Sequence, residues 1–281
     1  MDNDNSLEIK PSVLDYDDIR KMVPALDGKE KLVNTLLKFL SVDKVNDIHA
    51  RNCDTPGAEF VKRLLADLDI KLRIDNEKVL DSMGDAPFIT VSNHPFGALD
   101  GIMLIHMLAS RYPNYKVMVN LILNHISAMR PNFIAVDPLV SNDPAKKAVT
   151  MRGIREAMMH VKRGNPLGFF PAGAVSKLNS HLRIEDREWQ PSVIRLIQQL
   201  KVPVVPIYFH GHNSTWFNIL GVISWQLRTL RLPAEVFRRK GYTFHISVGD
   251  PIPVEEIAKY PDVKALGEFL KSKTYSMRSW K

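Results

Sequence analysis

The sequence predicts an α/β fold: a mainly parallel central sheet covered by helices on both faces, with a helical N-terminal segment over residues 1–82 and the α/β domain over 83–281. Three observations predict it. Short apolar runs recur from Pro87 onward, longer stretches with helical apolar spacing separate them, and before Leu80 the helical spacing stands without such runs. The balance of 45% hydrophobic and 25% charged residues belongs to a chain that folds in water around a sizeable core.

Helical spacing begins near Lys29 with Leu32, Leu36, Leu37 and Leu40, and continues with Phe60, Leu64, Leu65 and Leu68. Thr55, with Pro56 at a first helical position and Glu59 nearby, predicts the start of the second of these helices. Strands are expected over 88–91, 115–121, 133–136, 167–170, 202–209 and 242–248. Between them, Asp143 followed by Pro144 opens a helix that runs to about Arg163 and stops at Gly164, and 191–200 forms another. Apolar runs alternating with helices are what a parallel, helix-covered sheet requires, and such sheets carry their chemistry at strand ends.

Composition narrows the function. A lone cysteine, Cys53, excludes an internal disulfide framework and a multi-cysteine zinc site, and fits a reducing compartment. No cationic leader precedes an apolar stretch at the start, so a cytoplasmic protein is expected. The uncharged stretch 211–227 is interrupted by His212, Asn213, Ser214, Thr215 and Gln226 and falls short of the roughly 18 apolar residues a spanning helix needs, which leaves peripheral contact with a membrane. A net charge of +7 calls for an acidic partner: nucleic acid, an anionic lipid surface or an acidic carrier protein. No recognition motif with interleaved aromatics accompanies the basic residues, so nucleic acid is not expected.

The most informative segment is 90–101, where an apolar strand ends at His94 and a helix begins near Ala98. Five residues separate His94 from Asp100, and the turn through Pro95, Phe96 and Gly97 lets the chain reverse so that the carboxylate approaches the imidazole. A histidine is suited to deprotonating a hydroxyl near neutral pH, and a carboxylate on its other ring nitrogen fixes the tautomer. The alternative is that His94 closes a turn and Asp100 complements the dipole of its helix. Spacing alone leaves both open.

Asn93, His94, Pro95, Phe96, Gly97, Ala98, Leu99, Asp100 and Gly101, taken with Phe170, Pro171, Ala172, Gly173, Ala174, Val175 and Ser176, resemble the glycerolipid acyltransferase family of lysophosphatidate acyltransferases. Within it they are most similar to the haemolysin-like branch, which includes O-acyltransferases of ornithine and glycine lipids. Further matches lie at 132–137, 202–207 and 211–241, so the resemblance covers roughly 87–253. It implies transfer of a fatty acyl group from the thioester of acyl carrier protein or coenzyme A to the hydroxyl of a lyso-lipid, with no cofactor and no metal. It assigns His94 as base and Asp100 as its partner, with Asn93, Phe96, Gly97, Phe170, Pro171, Ala172, Gly173, Ser176, Lys177 and Arg183 at the substrate site. The broad family places four residues between His and Asp, where this chain has five, as in the haemolysin-like branch. The broad family also places Glu after the Phe-Pro pair, a residue associated with a phosphate-bearing acceptor, where this chain has Ala172. That favours a lyso-aminolipid acceptor over lysophosphatidate.

Other features carry less. His210 and His212 have a spacing that metals use but lack a local carboxylate or cysteine, and are expected at the rim of the cleft. Lys146, Lys147, Arg152, Arg155, Lys162 and Arg163 give one helix a basic face, either a solvated face or a dock for a carrier, and Arg187 joins Lys177 and Arg183 near the 170–176 loop. Met158 with Met159, and Phe169 with Phe170, are expected in the core. Asn213 to Thr215 spells a glycosylation triplet, without meaning in a chain that is not exported. Trp216, Phe217 and Trp225 precede Arg228 in a segment that is either a membrane dock or a core helix. A non-catalytic lipid- or carrier-binding protein on the same fold is the alternative of another class.

Overall fold

The computed structural model describes residues 9–137 and 144–280. Four helices open the chain, α1 (Tyr16–Met22), α2 (Glu30–Phe39), α3 (Val42–Asn52) and α4 (Ala58–Asp67). Strand β1 (Lys71–Asp75) and the short α5 (Lys78–Ser82) lead into β2 (Ile89–Ser92), α6 (Ala98–Ala109), β3 (Lys116–Asn120), β4 (Phe133–Val136), α7 (Pro144–Lys162) and β5 (Leu167–Phe169). A small hairpin, β6 (Lys177–Leu178) and β7 (Ile184–Glu185), precedes α8 (Pro191–Leu200) and β8 (Val204–Phe209). Then come α9 (Thr215–Ile223), α10 (Trp225–Leu230), α11 (Leu232–Arg238), β9 (Thr243–Val248), α12 (Val254–Ile257) and α13 (Val263–Ser276).

The seven-stranded sheet has the order β1-β9-β8-β2-β5-β3-β4. Strands β8, β2, β5, β3 and β4 run parallel, and β9 turns against β8 and takes β1 parallel beside it. All six expected strands form. The central ones are buried along their whole length, which is why their apolar runs are continuous. One core fills the space between the sheet and α4 and α6, with Val61, Leu65, Met103, Leu104, Val205, Ile207 and Phe244. A second lies on the other face, where Ile89, Val91, Ile134 and Leu167 meet Ala157 and Val161 of α7, Ile194 and Ile197 of α8, and Leu266 and Leu270 of α13. Helices therefore cover both faces.

The N-terminal segment departs from expectation in three ways. It is not helical throughout, because β1 forms the sheet edge beside β9, with Leu72 opposite Phe244 and Ile74 opposite Ile246. The alternation Lys71, Leu72, Arg73, Ile74, Asp75 carries the period of two that marks a half-covered edge strand. Second, α4 starts at Ala58 rather than near Pro56: Gly57 enters it at φ 85°, with its amide on the carbonyl of Ala128. Third, Leu32 and Leu36 are exposed while Val33 and Leu37 pack inward. Helix α7 starts at Pro144 as expected, and Asp143 lies outside the described residues.

Gly168, in the middle of β5, sits under the buried pair Thr90 and Tyr115, whose hydroxyls are 2.7 Å apart. A Cβ at 168 would stand 2.1 Å from the Tyr115 oxygen, and both neighbours are fixed inside the sheet layer. Gly168→Ala is expected to lower the urea-unfolding free energy by about 1–3 kcal/mol. An unchanged midpoint would show that Tyr115 can move.

Candidate active site

The site is built where β2 ends. Asn93 continues the pairing of β2 with β8 by its side chain, donating to the carbonyl of Phe209 at 2.9 Å and accepting the Phe209 amide at 2.7 Å. The chain then leaves the sheet at His94 and turns through Pro95, Phe96 and Gly97, where Gly97 has φ 73° and caps α6. Oδ2 of Asp100 closes this turn by accepting the amides of Phe96 and Gly97 at 2.8 and 2.9 Å. The same oxygen lies 2.9 Å from Nδ1 of His94. The contact is close but off the line of an ideal N–H···O bond, and Oδ1 of Asp100 is buried without a partner. Asp100 thus both caps its helix and reaches the imidazole, so the two readings of the spacing hold together. Burial raises the Asp100 carboxyl above its ordinary value, while the His94 ring and the two amides pull the other way.

The register that sets Val91 opposite Phe169 brings the 170–176 loop beside His94. The Phe170 ring packs on the imidazole with centroids 4.3 Å apart, and the amide of Ser176 donates to the His94 carbonyl at 2.8 Å. His94, Gly97, Phe170 and Gly173 line a cavity of about 490 Å³. From the end of β2 the cavity passes Met118 of β3 and Phe133 and Val136 of β4, with Ile102 of α6, Ile154 of α7 and Leu196 of α8 around it. Leu123, Ile126 and Met129, between β3 and β4, complete an apolar lining. Among the described lining residues, Lys147 is the one cation and Asp137 the one carboxylate; both belong to the β4–α7 end, three strands from β2. The His94 side chain lines this space and is 19% exposed.

A family model described as Acyltransferase matches residues 29–280. The chain belongs to the acyltransferase family. Two relatives cover most of it: a lyso-glycine lipid O-acyltransferase of Bacteroides thetaiotaomicron, 28% identical over 88% of this chain and 89% of its own, and one of Phocaeicola vulgatus with the same name, 26% identical over 92% and 94%. Among solved structures, the 1-acyl-sn-glycerophosphate (LPA) acyltransferase PlsC from Thermotoga maritima aligns over 80% of this chain and 79% of that one, at 16% identity and a TM-score of 0.48.

Within the acyltransferase, several residues expected at the substrate site support it from behind. Asn93 and Phe96 are buried, and neither lines the cavity. Ala172 is fully buried in the core under α8, with its carbonyl accepting from Arg187 Nε at 2.7 Å. Ala172 is not among the residues that line the cavity. Pro171 is buried, and its carbonyl takes the Gln190 amide. Ser176 is buried and occupied with Asp186. Lys177 and Arg183 are exposed on the β6–β7 hairpin and do not reach the cavity. The neighbours of the Phe and Met pairs differ: Phe169 is core and Phe170 lines the site, while Met158 packs inward and Met159 is exposed. Arg152, Arg155, Lys162 and Arg163 are exposed on or just after α7.

His210 and His212 do not line the cleft. The His210 ring stacks on His245, 3.9 Å between centroids and 10° from parallel, and its Nε2 is 2.8 Å from Ser247 Oγ. Nε2 of His245 meets Asp75, which also accepts from Ser247. Asp75, His210 and His245 are close enough to share a cation, but near-parallel rings direct their lone pairs side by side rather than at one point. Burial and the neighbouring His245 push His210 down to about 4.

On the surface, Trp216, Ile219, Val222 and Ile223 of α9 and Trp225 of α10 are exposed, whereas Phe217 and Arg228 are buried. The guanidinium of Arg228 donates to the carbonyls of Ser176 and Val175 at 3.1 and 3.2 Å and stacks over Phe217, so it cannot meet headgroups. Among the described residues, no helix is long and apolar enough to cross a membrane. The residue that motif reading passed over is Asp186, a second buried carboxylate beside His94.

Proposed function

We propose that this acyltransferase esterifies the free hydroxyl of a lyso-aminolipid, a lyso-glycine lipid first among them, using a fatty acyl thioester of acyl carrier protein or coenzyme A. The observation that carries the reading is the His94–Asp100 pair at one end of a long apolar cavity. With Nδ1–H turned to Asp100, Nε2 of His94 is the nitrogen left for the acceptor. It takes the hydroxyl proton as the oxygen attacks the thioester carbonyl, and the tetrahedral intermediate collapses by expelling the thiolate, which receives that proton from the imidazolium. Transfer is direct, with no protein nucleophile, metal or cofactor in the steps. Asp100 holds the ring's tautomer and stabilises the imidazolium.

Both curated relatives carry lyso-glycine lipid in their names, which supports this acceptor. The exposed aromatic and aliphatic face of α9 and α10, on a chain of net charge +7, supports docking on the inner face of an anionic cell membrane, where lyso-lipid and product reside.

His94→Ala is expected to lower kcat by about 10²- to 10⁴-fold with the fold intact by circular dichroism, and near-normal turnover would sink the base assignment. In side-by-side assays with one acyl donor, kcat/KM for a lyso-glycine lipid should exceed that for lysophosphatidate; a reverse preference of about tenfold, ~1.4 kcal/mol of discrimination, would replace the acceptor while sparing the mechanism. In flotation with anionic liposomes, a folded Trp216→Ala, Trp225→Ala variant should remain largely at the bottom of the gradient. Flotation equal to the parent protein would remove this face as the dock.

A further inference from the structure

We infer that Asp186 is a positioning residue for the proposed acyl transfer, holding the backbone of His94 so that the imidazole stays between Asp100 and the cavity. The carboxylate is buried at the end of the β6–β7 hairpin. Its Oδ1 accepts the amide of His94 at 3.1 Å and the hydroxyl of Ser176 at 2.6 Å, and its Oδ2 accepts the indole N–H of Trp189 at 3.1 Å. Ser176 returns the grip through its amide, which donates to the carbonyl of His94 at 2.8 Å. Both backbone groups of His94 are thus held from one side by a single carboxylate and its bonded serine. Nothing in the strand pairing of β2 supplies this, because His94 lies two residues beyond the strand's last paired position, Ser92.

The clamp is itself anchored. The amide of Asp186 donates to the Tyr275 hydroxyl at 2.8 Å, and Nζ of Lys271 donates to its carbonyl at 2.9 Å, so α13 fixes the clamp from outside the site. Through its bond to the His94 amide the carboxyl group also stands close enough to His94 to interact with it electrostatically. Other titratable groups facing it are Tyr275 and Lys271 of α13, Tyr208 of β8, and its chain neighbours Glu185 and Arg187. Desolvation raises the Asp186 carboxyl, and the Ser176 and Trp189 donors oppose it. An ionised Asp186 favours the imidazolium that forms as the acceptor proton is taken, and a fixed backbone keeps Nε2 aimed at the hydroxyl.

The inference rests on His94 serving as base, and the two fail differently: an active His94→Ala protein removes the base, whereas the outcome for Asp186 bears on the clamp alone. Asp186→Asn keeps an oxygen for the His94 amide and removes the charge. We expect kcat to fall about 10- to 100-fold with KM for donor and acceptor within about twofold, and the acid limb of the kcat/KM–pH profile to move to lower pH, since a charge favouring the imidazolium is gone. Asp186→Glu should restore the position of that limb while recovering only part of the rate. Wild-type kcat in folded Asp186→Asn, or a loss of rate with the limb unmoved, would overturn the inference. If Asp186→Asn melts below the assay temperature, Ser176→Ala carries the test: a fall in kcat of about three- to tenfold at unchanged KM is expected, and a wild-type rate would overturn it.

Discussion

Oδ2 of Asp100 accepts two amides of the turn after β2 and stands 2.9 Å from Nδ1 of His94. These contacts share one atom, so the turn cannot open without withdrawing the carboxylate from the ring. The cost is a buried carboxylate whose other oxygen has no partner. The rest of the site follows from that arrangement. Capping sets where α6 begins, α6 supplies Gly101 and Ile102 to the cavity wall, and Phe170 closes over the imidazole from the neighbouring strand end. Asp186 completes the enclosure from the other side of the His94 backbone.

The position of Arg228 links the surface to this centre. It lies in α10, beside the exposed Trp225, yet its guanidinium reaches inward to the carbonyls of Val175 and Ser176. Gly221 of α9 leaves room for that path, since a Cβ there would stand 2.6 Å from Arg228 Cδ. Ser176 in turn holds the carbonyl of His94. The helix pair proposed to meet the membrane is therefore joined to the proposed base by a short run of hydrogen bonds, with the Arg228 cation held by the loop.

How much was legible in the sequence follows from how locally each feature is determined. Central strands such as 204–209 are buried on both faces, so continuous apolar runs announced them. β1 was missed because its alternating charged and apolar residues stand among helical spacing, and only pairing with β9, some 170 positions away in the chain, makes it a strand. The His94–Asp100 contact was readable because one turn brings the two together. Asp186 was not, because Ser176 lies across a short hairpin from it while His94 and Tyr275 come from distant segments of the chain. The sides taken by Phe217 and Arg228 were left open for a similar reason: composition shows that a segment is apolar and basic, and tertiary packing decides which side each residue takes.

The central claim is that the acyl group passes directly from thioester to acceptor hydroxyl, with His94 only moving the proton. Intact-protein mass spectrometry after incubation with acyl thioester alone, paired with free-thiol release measured with and without lyso-glycine lipid, tests this most directly. The account predicts an unmodified chain mass and thiol release that depends on the acceptor. A chain heavier by one acyl group, with a burst of thiol in the acceptor's absence, would contradict it.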